Sequence, residues 1–165
     1  MSTQDVSAQN ASCYVAVVME RVALNNPWVA EQWGVTGVVC DDSPAGTPHR
    51  VIVTNNRLTQ LLFPGYLIRL HRDEAEGYYL NITSPQPRVF VLWRMHDGIA
   101  RPELLTVSYN EGARWMDGGE SVDGVALPVE LFPWIGAFVE QHYRPEPKKK
   151  GRYASNKDKG VGFRG

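Results

Sequence analysis

The chain has 165 residues, 43% of them hydrophobic, and its 17 Lys and Arg nearly cancel 18 Asp and Glu to leave a net charge of −1. That length fits one domain with an ordinary globular core and a short appendage. No apolar run approaches the ~20 residues of a bilayer-spanning helix, and the two cysteines, Cys13 and Cys40, offer neither a short-spaced pair nor a ligand set with the four histidines.

Residues 1–12 are polar, with no basic start leading into an apolar stretch. They read as a disordered leader rather than a secretory signal, and the expected compartment is the cytoplasm. Short β-branched and aromatic runs follow, separated by turn chemistry. Cys13–Val22 is the first and Val35–Cys40 the second, closed by Asp41-Asp42-Ser43-Pro44-Ala45-Gly46. Both cysteines lie at the ends of apolar runs and read as buried free thiols. Arg50–Thr54 is a short third strand. Tyr66–Arg72 alternates, with Tyr66, Ile68 and Leu70 against Leu67, Arg69 and His71, as a half-buried strand requires.

Asp73-Glu74-Ala75-Glu76-Gly77 reads as a hairpin connection into a strand over Tyr78–Thr83, which Pro85 and Pro87 break. Arg88–Met95 alternates again, His96-Asp97-Gly98 turns the chain, and Leu104–Tyr109 is a seventh strand. Asn110–Met116 predicts a short helix stopped by Gly118-Gly119. Leu131, Trp134, Ile135, Phe138, Val139 and His142 form one apolar stripe at helical spacing, with Pro133 tolerated only in the first turn. The pattern predicts an α+β domain: a mainly antiparallel β barrel or sandwich of about seven strands over residues 13–143, with a C-terminal helix and then a basic disordered tail.

The tail hides a charge split. All five lysines lie beyond residue 147, and residues 144–165 carry eight Lys and Arg against two acids. Residues 1–143 hold nine Arg and sixteen acids. An acidic body with a basic arm suits electrostatic docking on another macromolecule. Phosphate binding needs only clustered cations, but the acidic body would repel a nucleic-acid backbone, so an acidic protein face is the favoured partner.

The chemical motifs are few. Gly160-Val161-Gly162-Phe163-Arg164-Gly165 matches G-x-G-x-x-G without the flanking strand and helix that make it a dinucleotide site. Asp73, Glu74 and Glu76 read as a solvated acidic tip suited to contact with a basic partner. Arg69, Arg88 and Arg94 come from neighbouring predicted strands. They read first as partners of acids across the sheet, and second as an anion patch. Trp28 and Trp33, between strands, suit a core lid or an interface anchor.

The stretches VAVVMERV (15–22), WVAEQWGVTGVV (28–39), RDEAEGYYLNITSPQPRVFVLWRM (72–95), VSYNEGARWMDGGESVDGV (107–125) and FVEQHYRPEPKKK (138–150) resemble a proteobacterial family of unknown function. Its members are often labelled molybdopterin-guanine dinucleotide biosynthesis protein A-like, and their genes often lie beside those of molybdenum-dependent formate dehydrogenases. The resemblance implies a setting in formate oxidation and in maturation of a molybdenum and iron–sulfur enzyme. The guanylyl-transfer chemistry in that label uses a Gly-rich loop on a Rossmann-like sheet, which the order of strands first and helix last does not supply.

Two function classes follow. One is a non-catalytic accessory or assembly protein that docks on a formate dehydrogenase component by its basic tail and one sheet face, without cofactor or metal. Its contact residues would be Arg72, Asp73, Glu74, Glu76, Arg94, Glu111, Arg114, Trp115, Lys148, Lys149 and Lys150. The alternative is a molybdopterin- or guanine-nucleotide-binding protein or enzyme, with the arginine-bearing face holding phosphate.

Overall fold

Residues 12–145 are described by a computed structural model. The element order is β1 (Ser12–Ala23), β2 (Glu31–Cys40), β3 (Arg50–Thr54), β4 (Leu58–Arg69), a 3-10 turn at Arg72–Glu74 and helix α1 (Ala75–Ile82). Then come β5 (Arg88–His96), β6 (Ile99–Thr106), α2 (Tyr109–Asp117), β7 (Ser121–Ala126), a second 3-10 turn at Val129–Leu131, and α3 (Phe132–His142). The strands form two antiparallel sheets, β2-β1-β4-β3 and β6-β5-β7. The fold is α+β and sandwich-like, and the sheets do not close into a barrel.

The core lies where the sheets face each other. Val15, Val17 and Met19 of β1 and Val89 and Val91 of β5, all fully buried, belong to one core cluster. Each such side chain contributes about 1.5–3 kcal/mol of transfer free energy. One seam between the sheets is polar: the Asp123 carboxylate on β7 accepts from the Val35 backbone N–H at 2.9 Å and from Trp93 Nε1 at 3.0 Å. Helix α3 closes the core with Ile135 and Val139, next to Leu131. Pro133 lies in the first turn of α3, as its missing N–H requires.

Asp73–Gly77 is not a hairpin connection, and Tyr78–Thr83 is not a strand. The chain makes a 3-10 turn there and then α1. Tyr78 and Asn81 are buried while Tyr79 and Leu80 are exposed, a three-residue period rather than a two-residue one. The acids Asp73, Glu74 and Glu76 stand at the start of this helical segment, where the helix dipole favours negative charge.

Two prolines conceal strand length. β4 runs through Pro64-Gly65, where its pairing with β1 slips, and Gly65 takes φ 82°. A Cβ on Gly65 would come within 2.5 Å of the Pro44 carbonyl. β6 contains Pro102, tolerated because β6 is an edge strand and its register slips beside that residue. The β5–β6 hairpin turns on Asp97 and Gly98, both at positive φ, as a two-residue I′ turn demands. Among the described residues no helix is long and apolar enough to cross a membrane.

Candidate docking surface

Three of the residues expected to touch a partner are drawn into one internal network. Ser108 is fully buried and caps α2: its Oγ accepts from the Glu111 N–H at 3.0 Å and donates to Glu74 Oε1 at 2.6 Å. The other Glu74 oxygen, Oε2, accepts from Arg114 Nη2. Thr106 Oγ1 donates to Glu111 Oε1 at 2.6 Å and accepts from the Ser108 N–H at 3.0 Å. The Glu74 side chain is only 16% exposed. Glu74, Glu111 and Arg114 therefore join the turn before α1 to the start of α2. The bond to Glu74 raises the Arg114 pKa above its ordinary value. Gly77 permits this closeness, since a Cβ there would lie 2.0 Å from Ser108 Oγ.

Arg94 forms a cross-strand ion pair with Glu120 at 2.8 Å, as its position on the sheet suggested. The paired hydrogen bonds raise the Arg94 pKa and lower that of Glu120. Trp115 lines a mixed cleft of about 310 Å³ with Arg69, His71, Glu103, Leu104 and Glu111. Arg72, Asp73 and Glu76 gather instead at a separate cleft of about 480 Å³, with His142, Tyr143 and Arg144. That is the end from which the chain continues toward Lys148, Lys149 and Lys150, which lie outside the described residues, as do the expected leader up to residue 11 and the expected tail from residue 146. Among the described residues Asp73 and Glu76 enter no ion pair. Cys13 is half-buried and Cys40 exposed, so only the first approaches the expected buried thiol; neither is in a disulfide. Burial raises both thiol pKa values, with smaller effects from Cys40 and Asp42 on Cys13 and from Glu130 and Asp42 on Cys40. Among the described residues no group of three or more His, Cys, Asp or Glu is arranged to hold a metal ion.

One exposed strand was not singled out by the sequence pattern as a docking surface. β3 occupies one edge of the four-stranded sheet and pairs only with β4. All five of its residues are exposed, including Val51, Ile52 and Val53, with Val51 at 54%. A strand with apolar side chains exposed on both faces and a free row of N–H and C=O groups is a template for another strand. The β1–β2 loop lies at the end of the sheet where β3 turns into β4, because the Ala23 N–H donates to the Arg57 carbonyl at 2.8 Å. In that loop Asn26 Oδ1 accepts from the N–H groups of Trp28, at 2.7 Å, and Val29. This turn presents Trp28 at 86% exposure. Trp28 is therefore not a lid over the core, while Trp33 packs on the core and donates to Glu31 at 3.1 Å.

The model of one protein family, described as "Protein of unknown function (DUF3305)", matches residues 14–152. The chain belongs to that family, whose members share this domain without an assigned activity. No curated protein and no solved structure matches the chain.

Proposed function

We propose that the protein is a non-catalytic accessory or assembly protein that docks on a component of a molybdenum-dependent formate dehydrogenase. The observation that carries the docking role is the β3 edge, five exposed residues with an apolar run and an open ladder, in a sheet whose β3–β4 end also bears the loop that exposes Trp28. The favoured occupant is an extended segment of the partner added beside β3, with main-chain bonds giving affinity and Val51 and Val53 giving register. Arg50 opens that strand and Arg57 lies just before β4, and residues 144–165 add a net positive charge. Together they favour an acidic segment and a fast, salt-sensitive encounter. The enzyme class of the partner rests on the resemblance described above. Asp73 and Glu76, with Arg72 and Arg144 beside them, would supply rim contacts at the other end of the molecule.

The test is biolayer interferometry of the full chain against purified formate dehydrogenase subunits at two salt concentrations. Val51→Lys with Val53→Lys should weaken binding by at least about tenfold without loss of fold, since both side chains are exposed. Lys148→Glu, Lys149→Glu and Lys150→Glu together should slow association and flatten the salt dependence. Wild-type binding by both variants, or no binding to any subunit, would refute the reading.

A further inference from the structure

Helix α2 covers only part of the outer face of the three-stranded sheet. The uncovered part is a cleft of about 360 Å³ lined by Arg88, Phe90, Tyr109, Ala113, Met116 and Gly124. It continues past Arg88, Phe90 and Tyr109 into a second recess of about 340 Å³ beside Gln86 and Ser84. Each volume is within the range of small-molecule sites.

Two glycines shape this cleft. Gly112 on α2 and Gly124 on β7 both lie against the Phe90 ring, where an added Cβ would come within 2.7 Å and 3.2 Å of it. Phe90 therefore forms a flat, nearly buried floor. Tyr109 meets it edge-on at 6.1 Å and remains 52% exposed, and Met116 is exposed at the rim. Aromatic and thioether groups left open around a flat floor suit a planar ring.

The wall of the cleft is a fixed cation. Arg88 Nη1 donates to the Gly124 carbonyl at 3.0 Å and Nη2 to Gln86 Oε1 at 2.8 Å. Both acceptors are neutral, and among the described residues no carboxylate pairs with Arg88. The side chain belongs to a half-buried residue, the first of β5. A guanidinium has five N–H donors, so three remain. A partly desolvated guanidinium held in place without a counter-charge favours an anion that takes two donors at once. Arg69, Arg88 and Arg94, grouped on one face by the sequence pattern, are in fact separated: Arg69 lines another cleft and Arg94 is neutralised by Glu120.

We propose that this cleft binds a small planar aromatic anion, with its ring between Phe90, Tyr109 and Met116 and its carboxylate or phosphate on the free donors of Arg88. The site is independent of the docking surface and does not rest on the assembly role.

The test is isothermal titration of the full chain with four probes: 1-naphthoate, 1-naphthyl phosphate, the neutral 1-naphthylmethanol and inorganic phosphate. Both aromatic anions should bind, the neutral analogue at least about tenfold more weakly, as expected for loss of a charge-assisted bond. Inorganic phosphate alone should give no heat of binding. The stronger of the two anions identifies the head group. Arg88→Gln should reduce anion affinity by about the same factor and leave the neutral analogue unchanged. Ala113→Trp, at an exposed position on the cleft wall, should abolish binding of all aromatic probes without changing the melting temperature. Equal affinity for charged and neutral probes, anion binding that survives both substitutions, or no binding at millimolar probe would overturn the proposal.

Discussion

Replacing Ser108 by Ala tests whether the buried network holds α1 and α2 together. The hydroxyl does two jobs at once: it caps α2 through the Glu111 N–H at 3.0 Å and donates to Glu74 at 2.6 Å. Loss of an N-cap costs about 1 kcal/mol. Loss of a hydrogen bond to a charged acceptor costs about 2 kcal/mol, and water reaches little of Glu74 to compensate. The expected destabilisation is therefore about 3 kcal/mol, or a fall in Tm of about 9 °C for a domain of this size. Urea unfolding at pH 7, followed by tryptophan fluorescence, reads it as a lower midpoint with an unchanged slope. Glu74→Ala removes the same bond from the other end, so the double variant should cost about 1–2 kcal/mol less than the sum of the singles. A Ser108→Ala loss below about 0.5 kcal/mol, the range of ordinary surface substitutions, or strict additivity of the pair, would show that the network is incidental.

Tyr78 offers a second measurement. Burial pushes its pKa up to about 12, only partly offset by the hydrogen bond it accepts from the His71 N–H. A raised folded-state value favours the neutral phenol in the fold, so this contribution is complete below the unfolded value near 10 and is lost as pH rises toward 12. Burial raises the Tyr66 phenol as well, so absorbance at 295 nm should show a late-titrating component that shrinks by one phenol in Tyr78→Phe, and the variant's stability should fall less between pH 10 and 12 than that of the wild type. Gly112→Ala should cost about 1–3 kcal/mol by overpacking, because the new methyl would meet three Phe90 ring atoms within 3.0 Å. Adding Phe90→Leu should recover part of that loss, which differential scanning fluorimetry can follow.

The fold was legible wherever residue type and local chemistry agreed with the final state. β1, β2 and β5 announce themselves by β-branched and aromatic runs, α3 by its helical spacing, and α2 by the closing Gly118-Gly119. Legibility failed where local chemistry contradicted the final state. Pro64-Gly65 and Pro102 divided strands that tolerate them only through register slips and an open edge. β7, SVDGVA, has too little apolar content to signal, and its Asp123 is satisfied only by Val35 and Trp93 from distant segments. In α1, Tyr78, Leu80 and Ile82 fit a two-residue period as well as a helical one. The run of acids before them was the available sign of a helix start. Of the surface, Trp28 could be picked out because a tryptophan between strands has few roles. The β3 edge could not, since being last in a sheet is a property of strand order and not of the five residues themselves.

The same separation decides which charges are free to act on another molecule. Glu74 and Glu111 look equivalent to Asp73 and Glu76 in the sequence, yet the first two spend their hydrogen-bonding capacity on Ser108, Arg114 and Thr106. A partner that tried to recruit Glu74 would have to replace two internal donors and expose a half-built helix cap, which costs more than a surface contact returns. Asp73 and Glu76 carry no such obligation among the described residues. The acidic turn therefore divides between holding the fold and facing outward within four residues. Arg88 shows the converse: it lies on a rigid strand with neutral acceptors on two sides, so its charge remains available while its position is fixed. A fixed, unneutralised cation above an aromatic floor discriminates by shape as well as by charge, whereas a mobile lysine would discriminate by charge alone.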